Sequence, residues 1–187
     1  MTQDEIQEYI KSKPDSNFVV FTHVDGNRPW QTDYLIRRIL SRRYDLPIEE
    51  CFSHTGTVWY DVEKDENFYW HQTFPVFTKD KFNTRPYNVI YEVEDPNVVK
   101  FARIKCKNLY EAERGYAVGT LINYAFTIWF DWLSNVVTAG KVCSEAVAAS
   151  YPTLIEGNKS DIDPNNAAMQ LDNHNLKKFI IDETKKR

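Results

Sequence analysis

His54-Thr55-Gly56-Thr57-Val58-Trp59-Tyr60-Asp61, then Glu63-Lys64-Asp65-Glu66, then Asn67-Phe68-Tyr69-Trp70-His71-Gln72-Thr73 is the passage that decides the fold. β-Branched and aromatic residues crowd its two flanks, and the run between them is charged. It reads as a strand, a hairpin turn and a returning strand. Strands need partners, and the chain supplies them on both sides. Upstream, Asn17-Phe18-Val19-Val20-Phe21-Thr22 is a short apolar strand. Downstream, Tyr87-Asn88-Val89-Ile90-Tyr91-Glu92-Val93 alternates cleanly. Pro75 breaks the returning strand, and Val76-Phe77-Thr78 is expected to continue in the same direction. Lys178 to Asp182 is expected as a final strand.

Helical signals lie outside this block. Asp4 to Lys11 is expected as a short helix capped by Thr2 or Asp4, with Ile6, Tyr9 and Ile10 on one face. Trp30 to Arg43 follows a turn at Asp25-Gly26-Asn27. Its arginines Arg37, Arg38, Arg42 and Arg43 suit the negative end of the helix dipole and are read as a solvated face. Asp95-Pro96 closes the alternating strand, and a short helix or extended piece is expected up to Cys106. Leu109 to Leu133 is the longest helical pattern, with Gly115 and Gly119 four apart on one face. Val142 to Ser150 is a short helix stopped by Tyr151-Pro152. Asp163-Pro164 sets a cap followed by proline at the first helical position, opening a helix to about Leu171. Strands in the middle and helices at both ends make the chain α+β, with a central antiparallel sheet packed against helices.

The bulk numbers narrow the classes. A chain of 187 residues, 42% hydrophobic and 14% aromatic, is expected to fold as one domain over residues 1–187 around a real core. A net charge of −4 argues against a nucleic-acid partner held by phosphate contacts. Three cysteines, Cys51, Cys106 and Cys143, cannot all pair with one another and show no CxxC spacing. Neither a disulfide scaffold nor a zinc knuckle is indicated, which fits a reducing compartment. The polar, acidic start Met1-Thr2-Gln3-Asp4-Glu5 is not a signal peptide. The longest nearly apolar run, Ala117 to Phe130, is too short to span a bilayer, so no stable membrane insertion is expected. A cytoplasmic protein is the expectation, with a phage or virion origin as the variant.

The chemistry starts at Gly140-Lys141-Val142-Cys143-Ser144-Glu145, a loop running into a helix. A thiol in a first helical turn meets unpaired backbone N–H groups and the positive end of the dipole, and both favour thiolate. The competing reading is a small buried thiol on an apolar face. A thiol nucleophile needs a base, and histidine is suited to that role. Of the four histidines, His54 opens a strand beside small residues, and His71 lies on the next strand of the hairpin. His23 beside Asp25 looks like turn chemistry, and His174 between asparagines looks like solvated loop. A zinc site from His54, His71 and Cys143 is the minor alternative, because its spacing matches no standard pattern.

The order of Ser53-His54-Thr55-Gly56-Thr57-Val58, then a strand with His71, then Val142-Cys143-Ser144-Glu145-Ala146-Val147 resembles the circularly permuted NlpC-type papain-like proteins, nearest the YiiX-like branch. The resemblance covers about residues 17 to 170 and includes Asp163-Pro164 after the cysteine helix. It implies a papain-like fold with Cys143 as nucleophile at a helix N-terminus, His54 as general base and His71 as the third, orienting residue. Gln72 points to the opposite face of a regular strand, so one of the two serves, and His71 is preferred. Glu145 is read as structural or pocket-lining. Val142 in place of an aromatic, and Ser16-Asn17 in place of a glycine-aspartate, depart from the pattern. The implied activity is a cysteine hydrolase cleaving an amide bond through a thioester, with peptidoglycan peptides as one candidate substrate and no cofactor or metal. Two alternatives stand beside it. One is a lipid-directed acyltransferase or thioesterase with the same chemistry, acting on an acyl-containing substrate. The other is a catalytically idle papain-like binding module.

Overall fold

The computed structural model describes residues 1–22, 32–73, 76–82, 87–112, 143–157 and 162–182. Its chain order is α1 (Gln3–Lys11), β1 (Asn17–Thr22), α2 (Thr32–Tyr44), a 3-10 turn (Ile48–Glu50), β2 (His54–Asp61), β3 (Glu66–Gln72), β4 (Phe77–Lys81), β5 (Tyr87–Val93), α3 (Pro96–Glu111), α4 (Cys143–Ser150), α5 (Pro164–Asp172) and β6 (Lys177–Asp182). The six strands form one antiparallel sheet in the order β4-β3-β2-β1-β5-β6. This is an α+β architecture.

β1 is buried along its whole length. A central strand with both faces covered needs apolar residues at successive positions, which is why Phe18 to Phe21 runs without alternation. β1 pairs with β2 through Val20↔Gly56 and with β5 through Val20↔Ile90. Side chains of directly opposed residues share a face, so this register sorts the sheet into two faces.

One face carries Phe18, Val20, Val58, Ile90, Phe179 and Ile181, and α1 covers it with Ile6 and Ile10. α1 forms because Thr2 and Glu5 close a reciprocal capping box, which is worth about 1 kcal/mol. Its two buried isoleucines are four apart on one side. The other face carries Val19, Phe21, Val89 and Tyr91, covered by α3, α4 and α5 through residues such as Ala102, Val147 and Leu171. Further along the same face, Trp59, Phe68, Trp70 and Phe77 meet Cys106 and Leu109 of α3 and Ala146 of α4. Each large apolar side chain buried in these layers contributes about 1.5–3 kcal/mol. Among the described residues no helix is long and apolar enough to cross a membrane.

Three expectations are corrected. Val76-Phe77-Thr78 does not continue the β3 direction. β4 turns back and pairs antiparallel with β3, Gln72 opposite Phe77 and His71 opposite Thr78. The segment after Asp95 is a full helix of 16 residues, not a short piece ending at Cys106. Asp95 caps its first turn, and Val99, Ala102, Cys106 and Leu109 repeat at helical spacing on the buried side, so burial carries the helix through to Glu111. Arg37 is buried, unlike the exposed Arg38, Arg42 and Arg43, so the basic cluster is not one solvated face. The turn at residues 25–27, the pair Gly115 and Gly119, and residues 113–133 of the long helical pattern lie outside the described residues.

Candidate active site

His54 enters β2 from a fixed point. Ser53 donates both its N–H and its hydroxyl to the carbonyl of Thr22, at 3.1 and 3.2 Å. The β2–β3 register then places His71 opposite Gly56, two residues along from His54. Across an antiparallel pair such a diagonal is within reach of long side chains. Nε2 of His54 lies 2.7 Å from Nδ1 of His71. The next strand repeats the step. Asp80 of β4 stands opposite Tyr69, one diagonal from His71, and its Oδ2 lies 2.9 Å from His71 Nε2. The Thr78 hydroxyl donates to the same oxygen at 3.2 Å. A line of imidazole, imidazole and carboxylate therefore crosses three strands.

Proton positions along this line follow from the carboxylate. Ionised Asp80 can only accept, so His71 donates from Nε2. In neutral His71 that leaves Nδ1 as acceptor, and His54 must donate to it from its own Nε2. By this assignment, made from the hydrogen-bond pattern, Nδ1 of His54 is the basic nitrogen of the array. Tyr69 stacks on His71 at 4.2 Å between ring centroids and 18° between planes, and meets His54 edge-on at 6.1 Å. Gly56 gives the rings their room. A Cβ there would stand 2.7 Å from the Cβ of His71 and 2.5 Å from Cε2 of Tyr69.

Cys143 opens α4 and is 4% exposed. α4 packs on β2 and β3. Its far end is pinned where the Tyr151 hydroxyl meets those of Thr57 and the Asn17 amide. Its near end is pinned by Ser144, whose hydroxyl donates to the carbonyl of Ile162 at 2.6 Å. Close by in sequence, Asn165 accepts from the N–H of Phe52, two residues before His54, at 2.8 Å. Cys143 therefore comes to the end of the sheet where β2 starts. Thr55, Thr57 and Trp59 point toward α4, whereas His54 and His71 point to the face that α1 shares. The structure brings His54 and His71 together and adds Asp80. Cys143 is buried in the first turn of α4, the helix that packs on β2 and β3.

The remaining candidates sort by environment. Gln72 is fully buried on the α4 face, opposite in direction to His71. Glu145 is buried in the first turn of α4. His174 is exposed in the turn after α5, and His23 lies outside the described residues. Cys51 and Cys106 are free thiols, and burial pushes both up, Cys106 to about 12, so neither is poised as a thiolate. Among the described residues no group of His, Cys, Asp and Glu is arranged to hold a metal ion. Asp80 is the residue the sequence reading missed. Thr78-Lys79-Asp80-Lys81 is polar at every position, so no apolar alternation in the sequence marks it as part of a strand.

A second polar cluster gathers at the start of α5. Asp163 caps α5 by accepting from the N–H of Asn166 at 2.8 Å, and accepts from the Tyr44 hydroxyl at 2.7 Å. Arg43 lies 3.4 Å away. Burial nevertheless raises the Asp163 carboxyl above its ordinary value, because desolvation outweighs these partners. The cluster ties α2, α5 and the loop before β2 into one support for the sheet end.

Comparison of the chain with protein-family models, with curated proteins and with solved structures finds no match.

Proposed function

We propose that this protein is a papain-like cysteine hydrolase that cleaves an amide bond. The observation that carries the proposal is the His54–His71–Asp80 line, which ends on His54 at the same end of β2 where α4 presents Cys143. A carboxylate that fixes one imidazole, which in turn fixes another, is an arrangement suited to orienting a general base. In the proposed reaction the Cys143 proton passes to Nδ1 of His54 and the thiolate sulfur bonds to the substrate carbonyl carbon. The carbonyl oxygen takes the negative charge, stabilised by N–H groups of the first turn of α4. Collapse breaks the C–N bond, and His54 returns its proton to the departing amine. Water, deprotonated by His54, then displaces the thiol from the thioester. For this chemistry the His54 ring and the Cys143 sulfur must meet around the start of β2.

The sheet alternation that turns His54 away from α4 favours a second reading, in which the same fold is idle as a catalyst and serves as a binding module. Alkylation separates the two. Iodoacetamide labelling is followed against pH at each cysteine by peptide mass spectrometry, in wild type, His54→Ala and Asp80→Asn. Cys51 and Cys106 serve as internal references for ordinary buried thiols. The hydrolase reading expects Cys143 to label fast well below the pH where a free thiol ionises, and to lose that advantage in His54→Ala. Asp80→Asn should shift the Cys143 profile without abolishing it. A Cys143 that labels no faster than Cys51 and ignores His54→Ala would establish the binding-module reading instead.

A further inference from the structure

The sheet ends on β6, and its outer side is open. β5 occupies the inner side, from Lys177 opposite Glu92 to Asp182 opposite Tyr87. Among the described residues, nothing outside β5 bonds to a backbone N–H or carbonyl of residues 177–181. A row of unpaired backbone groups along an edge is a template for another strand.

Folded proteins usually blunt such edges with charge, proline or a bulge. β4, the opposite edge, is blunted: Lys79, Asp80 and Lys81 follow one another in a strand of five residues. The middle of β6 is not. It is Phe179-Ile180-Ile181, with no charge, proline or glycine. Phe179 and Ile181 turn to the face that α1 covers. Ile180, opposite Val89, lies on the face of α3, α4 and α5 and is 51% exposed. α5 is tied to β6 there, Lys178 donating to Asp172 at 2.7 Å, and its Met169 is 54% exposed. An open backbone edge thus runs beside exposed apolar side chains.

The order of residues in β6 says which strand fits the edge. Read from 177 to 182 it is Lys-Lys-Phe-Ile-Ile-Asp, positive at its start and negative at its end. A second copy laid antiparallel brings those ends together with opposite sign. With Ile180 opposite the partner's Ile180, Lys178 stands opposite the partner's Asp182 and Phe179 opposite the partner's Ile181. Opposed residues share a face, so two exposed isoleucines meet on the axis and pairs of opposite charge flank them. Lys178 already reaches Asp172, but an ammonium has three donors and can serve both carboxylates. A parallel copy in register would set lysine against lysine.

We propose that β6 is the interface of a two-fold symmetric dimer, in which the outer edges of two copies pair antiparallel about Ile180 and the sheet continues through both. A single edge of six residues is a small interface, so the association belongs to the weak, transient class.

Sedimentation of the full chain from about 1 µM to about 1 mM reads this association. Wild type is expected to pass from monomer to dimer across that range. Ile180→Lys and Ile180→Glu each remove the apolar pair and set two like charges on the axis, so each alone should weaken the dimer about tenfold. Mixing the two variants sets lysine against glutamate at that position and should recover most of the loss as a heterodimer. A folding defect in either variant would not be repaired by mixing. Val62→Lys, at an exposed position after β2, should leave the association unchanged. Wild type that stays monomeric at the highest concentration, a dimer indifferent to charge at Ile180, or losses that mixing does not repair would each overturn the proposal.

Discussion

Replacing Gly56 by alanine tests whether the line of histidines is built on a missing side chain. Glycine in a strand is ordinarily a liability, and alanine in its place gains about 0.4–1 kcal/mol by restricting the unfolded chain. The geometry predicts the opposite sign. The new Cβ would stand 2.5 Å from Tyr69 Cε2, 2.7 Å from His71 Cβ and 2.8 Å from the carbonyl oxygen of Trp70. Carbon atoms in ordinary contact sit about 3.5–4.0 Å apart, so each contact is about 1 Å too short. The Tyr69 ring can swing. The Cβ of His71 and the Trp70 carbonyl move only if β2 and β3 part. Overpacking of this kind costs about 1–3 kcal/mol. Set against the entropic gain, the net loss is about 1 kcal/mol, or roughly 2–4 °C in Tm for a chain of this size. Urea unfolding of wild type and Gly56→Ala measures it as a lower midpoint at unchanged slope. In the same sample, the His71 ring resonances should shift, because the clash lies at its Cβ. A variant as stable as wild type, or more stable, would refute the close approach of β2 and β3 at this point, and with it the explanation of how the two rings meet.

Two further outcomes follow from buried polar groups. Tyr151→Phe removes the hydroxyl that joins Thr57 and Asn17 and leaves both partners buried, at an expected cost of about 1–3 kcal/mol in urea unfolding. Adding Thr57→Val removes one stranded partner, so the double variant should lose less than the sum of the two single losses. Asp163→Asn should change how stability depends on pH. The folded-state carboxyl lies above its ordinary 3.8, so the folded protein binds that proton more tightly than the unfolded chain. Its favourable contribution is present below about pH 3.8 and is lost as pH rises through the raised value. Measured by urea midpoints, wild type should therefore lose ground to Asp163→Asn across that window, and a gain would show that Arg43 and the helix terminus outweigh burial.

Much of this was legible in local sequence. Thr2 and Glu5 announce α1, and Asp163-Pro164 announces α5, because capping chemistry needs only residues three apart. β1, β2 and β5 fall where the apolar runs place them, since burial on one or both faces writes its own periodicity. His54 and His71 were visible as candidates for the same reason, as polar residues at defined positions on adjoining strands of a hairpin. The direction of β4 was not visible, because a proline announces a break and not where the chain goes next. The length of α3 was also missed. Its buried stripe is interrupted by exposed Phe101, Ile104 and Tyr110, which blur the apolar pattern.

By itself the sequence determined which residues could carry chemistry: a thiol opening a helix, two imidazoles on paired strands, and a chain composed for an α+β core. Only the tertiary structure decided which of them meet. A shift of one residue in strand register exchanges the two faces of a sheet. The pairing of His71 with Gly56, and of Tyr69 with Asp80, is thus what joins both imidazoles to a carboxylate from a third strand. α4, the helix that carries Cys143, packs on β2 and β3, and the Tyr151 hydroxyl beyond its end meets that of Thr57. Local propensity is blind to that relationship, because it arises where α4 packs against strands roughly ninety positions away in the chain.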